Sequence, residues 1–385
     1  MKKKKYQALK IISAILVVVC FSLALWRFWG GFLNVFASLT VKSAGLYLSN
    51  TPFLLLTDEA ERGEEKPKKK AENEEKKTKA QKGTTEEKTE AVLKSDSFTK
   101  TPSDIEKLMK EASKKAEKEK KDGKISEWTY TNEGVTDSFG VVKVKNVNKT
   151  QIDIADLLQK KADLSVNKKK PSVLIFHTHT SETYQLVDRS WYPTNNVTRS
   201  GDSSRNMVRV GKAICEQLEK NGYSYIHDTD IYDEKYTGAY YRSYDAAVEY
   251  LKKNPSIQVV LDIHRDAIER TDGTKIRPVA TINGKKAAQV MIISGCQEEG
   301  NGVENLPDWR ENLVFALQLQ KKLEENFGGL MRPVYFCPRE YNMNLTHCSL
   351  LIEVGSDSNT LEEAEYAGRC IGSALSKLLD DYLEK

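Results

Sequence analysis

The stretch PSVLIFHTHTSETY, residues 171–184, decides how the chain is read. Its first half is a short, uncharged, β-branched run of the kind that forms a buried strand. The run ends on two histidines and a glutamate within six residues, in a chain that has only five histidines among 385 residues. A histidine that closes a strand is most often just a hydrogen-bonded side chain. Two imidazoles and a carboxylate together are also the donor set of a zinc site with a position left open for water. The elements on either side must decide between these readings.

Downstream, strands and helices alternate. SSRNMVRVGKAICEQLEKNG (203–222) has helical spacing, with Ser203 or Ser204 as its expected cap and Gly222 as its stop. YSYIHDTD (223–230) predicts a strand, YRSYDAAVEYLKKNP (241–255) a helix closed by Pro255, and IQVVLDIHRDA (257–267) a strand that carries His264 near its end. AAQVMIIS (287–294), VYFC (334–337) and CSLLIEVGS (348–356) predict further strands, NLVFALQLQKKLEENFG (312–328) a helix, and an amphipathic helix starts near Thr360. This alternation predicts an α/β fold: a mainly parallel sheet flanked by helices on both faces. In such sheets ligands gather beyond the carboxyl ends of the strands.

His177, His264 and Glu353 all fall near that edge, and Glu182 is close enough to His177 to turn back toward it. Two histidines and Glu182 would hold zinc, and Glu353 is the carboxylate placed to take a proton from water. A carboxylate in an apolar strand also needs a cation or a hydrogen-bond network beside it. His179 competes with His177, because strand alternation would put both on one side if the strand ran that far. The pattern alone does not choose, and the residue left over would meet substrate or support the ligands. Arg265 and Asp266 could touch substrate or orient His264, and a structural salt bridge is an equal reading for them. His227 and His347 are expected to be structural.

Toward the N-terminus the texture changes twice. Lys2 to Lys5 and Lys10 precede the uncharged run 11–26, about 24 Å of helix, which Leu9 and the aromatic flank Trp26, Phe28 and Trp29 extend to the interfaces. Residues 1–30 are read as a cytoplasmic tail and uncleaved anchor rather than a signal peptide, because no A-x-A follows the apolar run. The positive cluster keeps the tail cytoplasmic, so the remainder is exported. Residues 31–57 are apolar but interrupted by Lys42, Asn50 and Pro52, and are read as a membrane-adjacent segment. Residues 58–125, rich in Lys, Glu and Thr, are expected to be a disordered tether, with DIEKLMKEASKKAEKEKK (104–121) at most a transient helix. The catalytic domain is expected over 126–385.

A net charge of +4 gives no case for a nucleic-acid partner. Cys20 lies in the apolar run. Cys215, Cys296, Cys337, Cys348 and Cys370 form no C-x-x-C pair, which argues against a zinc ribbon or redox dithiol. They are read as small buried residues, with room for one bridge outside the cytosol.

The motifs LIFHTHTSETY, LDIHRDA and LLIEVGSDSNTLEEAEYAG, in that order behind a basic anchor and charged linker, resemble the stage II sporulation protein P family of endospore-forming bacteria. The resemblance covers the chain from about residue 129 onward. It implies an amidase-like zinc fold and a hydrolase of peptidoglycan that acts in forespore engulfment. The bonds implied are the N-acetylmuramoyl-L-alanine amide and stem-peptide cross-links. It implies a partner as well, the lytic transglycosylase stage II sporulation protein D. Carried over by motif, the family's zinc ligands match His177, Glu182 and His264, and its catalytic glutamate matches Glu353. This favours His177 over His179. The rival expectations are an inactive wall-binding scaffold on the same fold, and a metallophosphoesterase that shares an H-x-H start but needs more metals.

Overall fold

The structure is a computed structural model and describes residues 96–384. The expected anchor, the membrane-adjacent segment and the linker up to residue 95 lie outside the described residues. Among the described residues no helix is long and apolar enough to cross a membrane.

An eight-stranded sheet is built from β2 (Asp137–Phe139), β3 (Val142–Asn146), β4 (Val173–Phe176), β6 (Tyr225–His227), β7 (Val259–Asp266), β10 (Val290–Gly295), β11 (Val334–Cys337) and β12 (Cys348–Ser356). Its order is β2-β3-β11-β10-β12-β7-β4-β6. The strands β12, β7, β4 and β6 run parallel to one another. The strands β3, β11 and β10 form a second parallel block. The two blocks meet head to tail at the antiparallel β10–β12 pair, and β2 reverses again at the edge. The expectation of a mainly parallel sheet is therefore corrected to a mixed one. Hydrophobic runs such as VMIIS mark a buried strand without giving its direction.

The helices α4 (Met207–Lys220), α6 (Trp309–Asn326) and α7 (Leu361–Asp380) share the large core with the sheet, whereas α5 (Ala239–Lys253) covers a smaller cluster formed by Leu174, Phe176 and Val260. The helix α4 is capped by Asn206, not by Ser203 or Ser204, and the Asn206 side chain accepts from Val208 N–H. Thr360 and Glu363 make a reciprocal capping box that starts α7. The five described cysteines are buried thiols.

A second sheet, of order β5-β1-β8-β9, joins β1 (Lys121–Trp128), β5 (Trp191–Pro193), β8 (Lys275–Ile282) and β9 (Lys285–Ala288). It corrects the disordered reading of residues 96–125. After the helical turn α1 (Asp96–Thr99), α2 (Ser103–Ala116) buries Ile105 and packs Leu108 and Met109 on the core. Phe98 stacks on Phe327 at 5.9 Å, and β1 pairs with β5 and β8. A charged sequence orders here because a few apolar side chains, correctly spaced, find a prebuilt surface. The short α3 (Ile154–Gln159), started by Asp153, completes the helices.

Candidate active site

The site is set by strand parity. Along β4, Val173 and Ile175 enter the large core, while Leu174 and Phe176 face the α5 side. Along β7, Val259, Leu261 and Ile263 enter the large core and Val260 faces α5. By alternation Asp262 and His264 share that α5-side face. On the neighbouring parallel strand Glu353 is the register partner of His264, so their side chains leave the sheet side by side. Immediately afterwards the register breaks at Gly355, with φ +64, where a Cβ would lie 2.5 Å from Asn359 Oδ1. That irregularity falls two residues after Glu353, near the end of the strand.

His264 stands between two carboxylates. Its Nε2 lies 2.8 Å from Asp262 Oδ1, an approach too far off the ring N–H axis to count as a formed hydrogen bond, and its Nδ1 lies 4.0 Å from Glu182 Oε2. Burial opposes a charge on this ring, but Asp262, then Glu182 and Glu353, outweigh it and raise its pKa to about 9. Asp262 accepts from Thr178 N–H at 2.8 Å and from the Thr178 hydroxyl at 2.7 Å. Glu182 accepts from Arg265 N–H at 3.3 Å and from Arg199 Nη2 at 3.4 Å, which holds the loop carboxylate against the strand end. Glu353 is partly accessible as a residue, yet its Oε2 touches neither solvent nor a hydrogen-bond partner. Burial first, then Asp266, pushes its pKa up to about 8, against the opposing pull of His264.

His179 completes this cluster. Its ring stands edge-on to His264 with centroids 5.3 Å apart and stacks on Tyr236 at 4.7 Å. Its Nδ1 is buried without a hydrogen-bond partner, 3.9 Å from Asp233 Oδ2. Burial lowers its pKa to about 4, which favours the neutral ring that a metal ligand requires.

His177 lies elsewhere, and the expectation that favoured it is corrected. The strand ends at Phe176, so alternation carries His177 onto the large-core face, opposite His264. There its Nδ1–H donates to Ile263 O at 3.0 Å, which leaves Nε2 to accept from His227 Nε2–H at 2.9 Å. Burial, then the neighbouring His227, lowers its pKa to about 3. Gly211 of α4 lies over this pair, and a Cβ there would sit 2.6 Å from His177 Nε2. The Arg265 guanidinium donates to Thr198 O at 2.7 Å and to Asp266 O at 3.2 Å, binding the 198 loop to the strand.

The sequence reading missed Asp262, although D-x-H in a strand puts both side chains on one face. It also missed Arg332, whose Nη1 meets Asp266 Oδ2 at 3.0 Å, and the aromatic wall in which Tyr240 stacks on Tyr341 at 5.3 Å and on His264 at 6.1 Å. His347 is structural as expected. It lies away from this cluster, between Asp163 and Asp308.

His179, Glu182 and His264 fit zinc by donor type, and the unpartnered buried atoms of His179 and Glu353 are what a cation would satisfy. As the side chains are placed, no three His, Cys, Asp or Glu residues among those described converge closely enough to grip an ion.

Comparison with known proteins gives the family. The family model for stage II sporulation protein P (SpoIIP) matches residues 46–376. Stage II sporulation protein P of Bacillus subtilis is 29% identical over 239 residues, 59% of this chain and 56% of the relative, so the chain spans little more than half of that protein's length. Among solved structures, the CwlD amidase of Clostridioides difficile in complex with the GerS lipoprotein is 14% identical, over 55% of this chain and 99% of that one, with a TM-score of 0.35. The N-acetylmuramoyl-L-alanine amidase AmiC2 of Nostoc punctiforme is likewise 14% identical, over 57% and 98%, with a TM-score of 0.32. Scores this low fix no residue correspondence. The family match covers most of the sequence, and the chain belongs to the stage II sporulation protein P family.

Proposed function

We propose that the chain is a zinc-dependent peptidoglycan hydrolase of endospore formation. It would cleave the N-acetylmuramoyl-L-alanine amide and, secondarily, stem-peptide cross-links during engulfment. The observation that carries this reading is the register pairing of Glu353 with His264 at the strand ends, with Glu182 Oε2 4.0 Å from His264 Nδ1. A carboxylate with a free oxygen beside an N,N,O donor set is the arrangement that hydrolysis of an amide needs. His179, Glu182 and His264 would hold Zn2+. When bound, zinc supplies a Lewis acid that polarises the amide carbonyl and makes water a stronger nucleophile at neutral pH.

Glu353, in its ionised form, would take a proton from the attacking water and return it to the leaving amine, and burial, which holds its pKa up at about 8, favours the return step. Arg199 and the Arg265 backbone N–H keep Glu182 turned inward. Tyr240 and His179 wall the site. The expected context is a membrane-anchored domain working outside the cytoplasm on the wall, with stage II sporulation protein D as a partner. Family membership and the sequence of the first thirty residues support that setting.

The test is to incubate the zinc-loaded protein with purified sacculi, with and without chelator, and to identify the products by mass. Peptide-free glycan and free stem peptides are expected, lost with chelator and lost in Glu353→Gln although that variant keeps its zinc. A zinc-loaded wild type that leaves sacculi intact, alone and with its partner, would establish the scaffold reading instead.

A further inference from the structure

The loop 185–199 leaves the site beside Glu182 and returns to it. At its foot the chain is pinned as a short antiparallel ladder. Thr183 N–H donates to Thr198 O at 3.0 Å, Ser200 N–H donates to Ser181 O at 2.6 Å, and Glu182 and Arg199 face each other between them. The returning limb brings Arg199 Nη2 to 3.4 Å from Glu182 Oε1. Where Arg199 stands therefore depends on where the loop runs.

The far end of the loop is held by the second sheet. Asp188 Oδ1 meets Arg277 Nη1 of β8 at 2.6 Å, Ser190 O accepts from Ile125 N–H of β1 at 2.9 Å, and β5 pairs with residues 121–124 of β1. Arg189 makes an ion pair with Glu119. A strand as short as β5 has little hold of its own, and Tyr192 supplies the lock. Its ring lies over Gly123, where a Cβ would sit 1.8 Å from Cζ, so a side chain at 123 would expel it. Its hydroxyl donates to Gly273 O at 3.0 Å, in the turn that leads into β8.

We infer that Tyr192, seated on Gly123, is a positioning residue: it fastens the 185–199 loop to the second sheet and so keeps Arg199 against Glu182, which makes residues 119–124 part of the scaffold of the site. The charged stretch that the sequence presents as linker thus reaches the site through its own strand. Arg265 also holds Thr198 O, at 2.7 Å, so loss of the lock loosens the foot of the loop without releasing it. That Glu182 so placed serves zinc rests on the function proposed above, whereas the hold on the loop does not.

The test follows backbone hydrogen exchange of the full metal-free chain by mass spectrometry. Peptides over the loop foot (181–184 and 198–201) are compared with β4 (173–176) as an internal reference. Gly123→Ala displaces the ring. Tyr192→Ala removes it without crowding β1, and carries the test if Gly123→Ala does not fold. In both, the foot is expected to exchange roughly five- to tenfold faster, about the worth of one hydrogen bond, with β4 unchanged. Zinc should bind Tyr192→Ala about tenfold more weakly in chelator competition, the lower end of what losing a ligand's support costs. In an Arg199→Ala background Tyr192→Ala should weaken zinc no further, an effect that general destabilisation would not produce. The inference is overturned by a foot as protected as in the wild type, by an equal rise at foot and β4, by zinc affinity within about two-fold of wild type in a variant whose foot has loosened, or by losses of affinity that add to that of Arg199→Ala. Were the wild type to bind no zinc, the proposed function would fall, and the exchange data would still decide the hold on the loop.

Discussion

The placement of His177 beneath α4 can be tested by a double-mutant cycle with Gly211. In Gly211→Ala the new Cβ lands 2.5 Å from His227 Nε2, 2.6 Å from His177 Nε2 and 2.7 Å from His177 Cε1. Ordinary carbon contacts are ~3.5–4.0 Å. Neither ring can retreat cheaply, because each is held by the hydrogen bond between them and His177 is pinned to Ile263 O. Overpacking of this kind costs roughly 1–3 kcal/mol, and the crowding of three atoms points to the upper part of that range. Replacing glycine in a helix interior returns about 1 kcal/mol, so a net loss of about 2 kcal/mol is expected. His177→Ala strands the Ile263 carbonyl and opens a cavity, which together cost roughly 2–4 kcal/mol. In the double variant the contacts with His177 vanish, His227 can swing into the vacated space and the helix gain remains, so the two losses should fall short of adding by up to about 3 kcal/mol. Urea denaturation of the four proteins measures the coupling. Zinc content measured on the same samples separates the histidines: His177→Ala keeps the metal and His179→Ala loses it. Additive losses, or zinc lost from the folded His177→Ala protein and kept by His179→Ala, would refute the reasoning.

Other elements give further expectations. Ile105→Ala, at a side chain 1% exposed, should cost about 2–5 kcal/mol by urea denaturation, and a chain begun at residue 126 should be less stable still, since it also loses Phe98 and half of β1. Arg277→Met leaves the buried Glu363 without the guanidinium at 3.1 Å and should cost about 3–5 kcal/mol, which a shift of the urea midpoint would record. The His347 pKa is raised above its ordinary value, chiefly by its hydrogen bond to Asp163, against the effect of burial. A pKa raised on folding contributes stability that is present below the ordinary histidine value and disappears as pH rises through the folded value. An NMR titration should therefore find His347 titrating late, and earlier in Asp163→Asn; identical curves would remove Asp163 as the cause.

The sequence made the strands and their reactive ends legible because each is a local signal: an apolar run, then a polar residue able to do chemistry. It did not settle His177 against His179, because that choice depends on where β4 stops. If the strand ends at Phe176, His177 belongs to one face and the chain is free to turn His179 to the other, and a shift of one residue reverses every assignment. The second sheet was hidden for a different reason. In β1 only Ile125 is buried and the other positions are half-exposed or exposed, so the strand reads like linker. It exists because β8 and β5 offer it backbone partners on either side. In α2 the apolar spacing of Ile105, Leu108 and Met109 was visible, but the helix it packs on, α7, lies more than 200 positions away, as do Tyr366 and Phe327, which receive Phe98 just before it. Asp262 was visible and went unread, since an aspartate inside an apolar strand signals a partner on its own face.

The reversed direction of β10 and β11 matters for the chemistry as well as the topology. In the block β12, β7, β4 and β6 every strand delivers its carboxyl end to the edge where His264 and Glu353 stand. Because β10 and β11 run the other way, the same edge also receives the segment that enters β11. That segment carries Arg332 to Asp266 at 3.0 Å, next to Glu353. Asp266 raises the Glu353 pKa and Arg332 lowers it. In a sheet parallel throughout, the residue before β11 would enter at the opposite edge and Asp266 would face Glu353 unopposed. Two carboxylates so placed would press the Glu353 pKa above the value of about 8 that it has here. The antiparallel junction thus lets a second carboxylate stand near the site with its charge paired to an arginine, which limits the rise of the Glu353 pKa without abolishing it.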